Sequence, residues 1–261
     1  MSYHAVKVLG INITIEGKEK ILEETRKYLQ ENSKLKYQKS DETVKPLIIL
    51  TPNPEQIVYA HDDTHFAGIL NGADVTIPDG TGVVWSAQFL DLGVDGRKET
   101  DQLRRIPGVE FMQDLVRQAA NEGFAIGLIG GTGGLAVKTL ECLRERHLQL
   151  RGWGIDGPQA SVLQCALRLC RLDRCPMPEK EGATAILTEI TVDPMAGVPV
   201  SHDGNIPVES YMDSLIREIS RSRTDMLFIG LGAPKQEYFI EQFSEAWVRA
   251  ERQMKRRVEP D

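Results

Sequence analysis

Apolar and polar positions along this 261-residue chain change period several times, and each change marks an element. The opening run "AVKVLGINITIE" is β-rich, and "KEKILEETRKYLQE" behind it sets its apolar residues at helical spacing. "PLIILTPN" reads as a short buried strand, followed by a helix over "PEQIVYAHDD" with Pro54 in its first turn. "ADVTIPDG" is a strand that ends in a turn, and "GVVWSAQFL" is the helix behind it. After an irregular polar stretch, "GVEFMQDLVRQAANEG" predicts a helix closed by Gly123. Strand "FAIGLIGG", helix "LAVKTLECLRERH" and strand "LQLRGWG" follow in turn. Much later come helix "VESYMDSLIREISRS", strand "DMLFIGLG" and a long helix over "PKQEYFIEQFSEAWVRAERQMKRR".

Strands alternating with helices imply right-handed crossovers and a mostly parallel sheet flanked by helices. The expected class is α/β, with residues 1–243 as one Rossmann-like domain. Residues 158–208 interrupt the alternation with prolines, three cysteines and a candidate strand pair. A structureless loop of that length is unusual, so the segment reads as an insertion or subdomain before the last βα unit. Residues 244–261 read as a basic helical tail. No internal repeat or low-complexity segment stands out.

Composition narrows the function. A formal net charge of −7 argues against nucleic acid as the main partner, because phosphate binding needs a basic face. No apolar run approaches the roughly 20 residues that span a bilayer. The N-terminus lacks a charged start followed by a long apolar stretch, so a cytoplasmic protein without a signal peptide is expected. Cys142, Cys165, Cys170 and Cys175 are too few for a disulfide scaffold, and their spacing is not that of paired zinc ligands.

In open α/β sheets, ligands bind outside the carboxyl ends of the strands. Four strand ends here carry more than plain turns: "LTPNPE", "IPDGTG", "IGGTGG" and "GLGAPKQE". Each also has an ordinary explanation, since Thr, Asn, Asp and Gly commonly cap helices and form turns. "GTGGLA" fits a dinucleotide-type glycine loop, whose backbone N–H groups can approach a phosphate. An NAD site also wants an acid at the end of the next strand, and "LQLRGWG" offers Arg151 with no acid before Asp156. Arg151 suits NADP instead, which keeps an NADP-linked oxidoreductase as the alternative. Capping rules do not explain the Lys235–Gln236 pair at the start of the last helix.

Taken together, "LTPNPEQIVYA", "LNGADVTIPDGTGVVW", "RRIPGVEFMQDL", "GLIGGTGG" and "FIGLGAPKQEYFIE" resemble the WecG/TagA/CpsF family of bacterial glycosyltransferases. The resemblance covers most of residues 5–157 and 209–243. It implies an inverting, metal-independent transfer of N-acetylmannosamine or a related sugar. The donor would be a UDP-sugar and the acceptor a polyprenyl-diphosphate-linked N-acetylglucosamine, in cell-surface polysaccharide or teichoic acid synthesis. By that resemblance Asp79 is the general base, Thr51 and Asn53 line its pocket, and Arg105 and Gln236 complete the catalytic set. Gly130, Gly131 and Gly133 would face the nucleotide, with Gly232 and Lys235 also binding substrate.

The residues agree with that chemistry on their own terms. One carboxylate beside the acceptor hydroxyl can take its proton as the new bond forms. The leaving diphosphate needs N–H groups, cations or a metal. No DxD-type acidic pair occurs among the strand-end motifs, so no metal and no further cofactor are expected.

Three features depart from the family pattern. Glu110 stands where the family has Asp, and residues 158–208 have no counterpart. The chain also stops early, with Arg249, Arg252, Lys255, Arg256 and Arg257 near an apolar stripe of Trp247, Ala250, Met254 and Val258. Such a basic helix can lie on an anionic membrane, which would place the protein at the inner face of the plasma membrane. A truncated, non-catalytic nucleotide-sugar binder is a further alternative, and a homo-oligomer is left open.

Overall fold

The computed structural model describes residues 3–35, 45–90, 100, 103–157, 189–193, 198–202 and 208–256. The chain forms two compact units, Met1–Leu115 and Val116–Asp261.

In the first unit, β1 (Ala5–Val8) and β2 (Ile11–Thr14) pair antiparallel, with Val8 opposite Ile11. Leu9 and Gly10 join them at φ +48° and +85°, the left-handed geometry that matches the twist of a two-residue hairpin. Helix α1 (Lys18–Leu35) buries Ile21, Thr25 and Leu29, one stripe at successive turns. Strands β3 (Ile49–Leu50) and β4 (Val75–Thr76) pair in parallel, and α2 (Pro54–Asp62) and α3 (Thr64–Gly72) form the connection. Asp63 ends α2 and caps α3, accepting the N–H groups of His65 and Phe66 at 3.1 Å each. The periodicity had assigned no element to 64–72; the cap is the reason a helix restarts there. Helix α4 (Thr81–Leu90) follows β4 directly. Helix α5 (Gly108–Glu122) carries the boundary between the units, and its end is closed by the Phe124 N–H donating to the Ala119 carbonyl at 2.9 Å.

The second unit holds a parallel sheet of β5 (Ala125–Gly130), β6 (Arg151–Ile155) and β9 (Met226–Gly230), in the order β6–β5–β9. The central strand β5 is buried at all six positions, as its unbroken apolar run predicts. From β5 the chain goes through α6 (Leu135–Arg146) to β6 on one side, and returns later to β9 on the other. That reversal is the kind of switch point outside whose carboxyl ends open α/β sheets bind ligands. Trp153 fills the sheet interior and donates its indole N–H to Thr224 Oγ1 at 2.7 Å.

Within the segment read as an insertion, β7 (Glu189–Asp193) and β8 (Val198–His202) pair antiparallel. The rest of 158–207, including Cys165, Cys170 and Cys175, lies outside the described residues. Helix α7 (Val208–Ser222) buries Met212, Leu215, Ile216 and Ile219 at spacings of three and four. Helix α8 (Lys235–Arg256) buries Tyr238, Phe239 and Phe243 and runs on through most of the stretch read as a basic tail. Arg257 and Val258 lie outside the described residues. Among those residues no helix is long and apolar enough to cross a membrane.

Candidate active site

Two strand ends meet in the first unit. The Ile77 N–H donates to the Leu50 carbonyl at 2.8 Å, and the Asp79 N–H to the Pro52 carbonyl at 3.2 Å. The loops after β3 and β4 therefore leave the sheet side by side. The Ile106 N–H donates to the Pro78 carbonyl at 3.0 Å, which lays the "RRIPG" segment along the same edge.

Asp79 is the focus of these three segments. Its Oδ2 accepts the Gly108 N–H at 3.1 Å, and its Oδ1 faces Arg105 Nη2 at 3.4 Å. Gly108 is the first residue of α5, where free N–H groups favour a negative charge. The side chains of Asp79 and Arg105 are 28% and 51% exposed, so both can meet a ligand from solvent. A Cβ on Gly108 would lie 3.0 Å from Thr51 Oγ1 and 3.3 Å from Asp79 Oδ2. The missing side chain is what lets Thr51 and Asp79 converge on this backbone.

Asn53 has a local task as well. Its Oδ1 accepts the Gln56 N–H and its own N–H donates to Gln56 Oε1, both at 2.9 Å, a capping box at the start of α2. Capping uses the amide oxygen and leaves the Nδ2 donors for another partner.

The second unit carries the glycine-rich turns. Gly130 at the end of β5 stands opposite Gly230 at the end of β9. A Cβ on Gly130 would fall 2.3 Å from the Gly230 carbonyl oxygen, and its φ of +148° is itself a glycine conformation. The Gly131 carbonyl accepts the Gly157 N–H at 3.1 Å, while Gly133 and Gly134 continue the turn into α6. After β9 the Gly232 carbonyl accepts the Gln236 N–H at 3.1 Å, and Lys235 opens α8 half-buried. Gln236 Nε2 donates to the buried Glu237 Oε1 at 2.8 Å.

Sequence reasoning passed over Asp156 as a site residue. It follows β6 directly, at the carboxyl end of the strand, and its Oδ2 accepts the Gly134 N–H at 2.7 Å. Its Oδ1 is buried with no hydrogen-bond partner among the described residues. The signal was its position just beyond a strand whose own sequence offers no acid. The N-terminus of α6 thus already holds a carboxylate.

The same arrangement corrects the NADP reading. Arg151 is the first residue of β6, at the end away from the glycine turn, where its guanidinium donates to the Gly123 carbonyl. The carboxyl end of that strand presents Asp156, which repels a 2′-phosphate rather than binding it.

Of the residues predicted from sequence, Thr51, Asn53, Asp79 and Arg105 belong to the first unit and flank one strand edge. Gly130, Gly131, Gly133, Gly232, Lys235 and Gln236 belong to the second. Among the described residues no three His, Cys, Asp or Glu side chains cluster as metal ligands do.

The family model described as "Glycosyl transferase WecG/TagA/CpsF family" matches residues 6–166 and 193–250. Similar proteins include the N-acetylglucosaminyldiphosphoundecaprenol N-acetyl-beta-D-mannosaminyltransferases of Staphylococcus aureus strains NCTC 8325, COL and N315. Each is 23% identical over 201 residues, covering 77% of this chain and 57% of the relative. The match thus spans little more than half the length of those relatives.

Proposed function

The chain belongs to the WecG/TagA/CpsF family of glycosyl transferases, and from that premise we propose that it is an inverting UDP-sugar glycosyltransferase. The donor sugar is N-acetylmannosamine or a close relative, and the acceptor is N-acetylglucosamine on a polyprenyl diphosphate. The names of the S. aureus relatives support the sugar and the acceptor. The observation that carries the mechanism is Asp79, held by the Gly108 N–H and facing Arg105 at the edge of β4.

In the proposed step, the acceptor hydroxyl oxygen attacks the anomeric carbon on the face opposite UDP. The bond from that carbon to the diphosphate oxygen breaks, and UDP leaves with the electron pair. The hydroxyl proton passes to a carboxylate oxygen of Asp79. Arg105, which faces Asp79 in the first unit, is the group assigned to the charge of the leaving diphosphate. The reaction serves cell-surface polymer synthesis at the inner face of the plasma membrane, with the protein held peripherally.

The test is turnover of UDP-N-acetylmannosamine with lipid-linked N-acetylglucosamine, run with EDTA and with Mg²⁺. Transfer at equal rates in both supports the metal-independent reading, and loss on chelation overturns it. A Tm raised by UDP with no transfer would identify a non-catalytic binder. A Tm raised by NADPH and not by UDP would overturn the whole reading.

A further inference from the structure

We propose that the exposed face of α4 is a lipid-contact surface that lays the Asp79 site against an anionic bilayer. Helix α4 buries Val83, Val84 and Ala87 on one face. Its opposite face leaves Trp85 71% and Phe89 75% exposed, and Leu90 at the helix end is 50% exposed. Trp85 and Phe89 are one helical turn apart, so their rings form a single patch. Val109, beside the Asp79-binding Gly108, is 69% exposed as well. Single exposed apolar residues are ordinary, but several large ones on one short helix mark an interaction surface.

Charge and placement select the occupant. Gln88, on the same helix, donates its Nε2 to the Thr100 and Leu103 carbonyls at 3.2 and 3.4 Å. That stitches α4 to the segment carrying the exposed Arg104 and Arg105. Apolar anchors beside the exposed Arg104, with Arg105 paired to Asp79, suit an anionic leaflet, with the indole N–H at headgroup level. Asp79 lies two residues before α4, so a bilayer met there brings a lipid diphosphate to the carboxylate's side of the protein. The reason for a lipid at this place rests on the glycosyltransferase reading; the contact itself does not.

The experiment is co-sedimentation of the full chain with vesicles of equimolar phosphatidylglycerol and phosphatidylcholine, with no sugar donor present. The Trp85→Ser/Phe89→Ser double variant should lose binding by about tenfold for each aromatic no longer withdrawn from water. Leu148→Ser, at an apolar side chain 90% exposed in the second unit, should bind as the parent does. Trp fluorescence in vesicles with brominated chains should be quenched in the parent and not in Trp85→Phe. Circular dichroism and Tm confirm that each variant is folded. Equal sedimentation of the double variant and parent would overturn the proposal, as would binding lost only on deleting residues 249–261. Loss of self-association with vesicle binding unchanged would make α4 a subunit interface and overturn it too. Because binding is read without turnover, failed catalysis leaves this result standing, and the reverse holds.

Discussion

Asp79 Oδ1 and Arg105 Nη2 stand 3.4 Å apart, while the second Asp79 oxygen accepts the Gly108 N–H at 3.1 Å. The carboxylate is thus aimed from two sides and stays open to solvent. Asn at this position keeps an oxygen for the Gly108 N–H and loses the capacity to take a proton. Asp79→Asn should therefore lower turnover by roughly 10²-fold or more with UDP binding and Tm kept. Steady-state kinetics beside UDP calorimetry check this, and near-normal turnover would remove Asp79 from the role of base.

Gly108 tests the geometry without touching the charge. An added methyl would sit 3.0 Å from Thr51 Oγ1 and 3.3 Å from Asp79 Oδ2, so one of them must shift by a few tenths of an ångström. Ala suits a helix better than Gly, so stability should hold or rise slightly. Turnover of Gly108→Ala should fall roughly tenfold through misplacement of Asp79, the proposed base. Parent-like kinetics at parent-like Tm would show that the site tolerates a displaced Asp79.

Asp156 supplies the cap that α6 lacks in its own sequence, since Gly134 at the N-cap has no side chain. Asp156→Ala should cost about 1 kcal/mol of stability, the usual scale for losing an N-cap, and Asp156→Asn less. Urea denaturation measures both. An Ala variant as stable as the parent would mean that the carboxylate does not hold the glycine turn.

Lys18 Nζ and Asp114 Oδ2 lie 2.8 Å apart and join α1 to α5. The hydrogen bond to Asp114 raises the Lys18 pKa above its ordinary value of 10.5, against a smaller opposing effect of burial. A raised ammonium pKa stabilises the fold below the unfolded value and loses that contribution as pH climbs through the folded value. Asp114→Asn should thus cost about 0.5 kcal/mol at neutral pH, as partly exposed pairs do. The gap from the parent should close as pH rises above 10.5. A gap independent of pH in urea titrations would assign the cost to something other than the pair.

What the amino-acid order alone determined is what depends on near neighbours. Helix α1 and strand β5 follow from periodicity, and the start of α2 and the end of α5 follow from Pro54 and Gly123. The restart at Asp63 was equally local but went unread, because one residue ends a helix and caps the next. The motif order carried the family, and with it the choice of Asp79, Thr51 and Arg105.

Only the tertiary structure decided which groups touch. Asp79 meets Gly108 across 29 residues, and Gly134 meets Asp156 across 22, distances over which no pattern of spacing constrains a hydrogen bond. That β6 begins only at Arg151, and not at Leu148, likewise sets Arg151 at the strand end away from the glycine turn. Exposure of Trp85 and Phe89 was hidden for a related reason. In sequence they continue the apolar run of α4, and only packing reveals which side of that helix the rest of the first unit covers. Periodicity reports the face a residue occupies; what lies against that face is set by contacts distant in the chain.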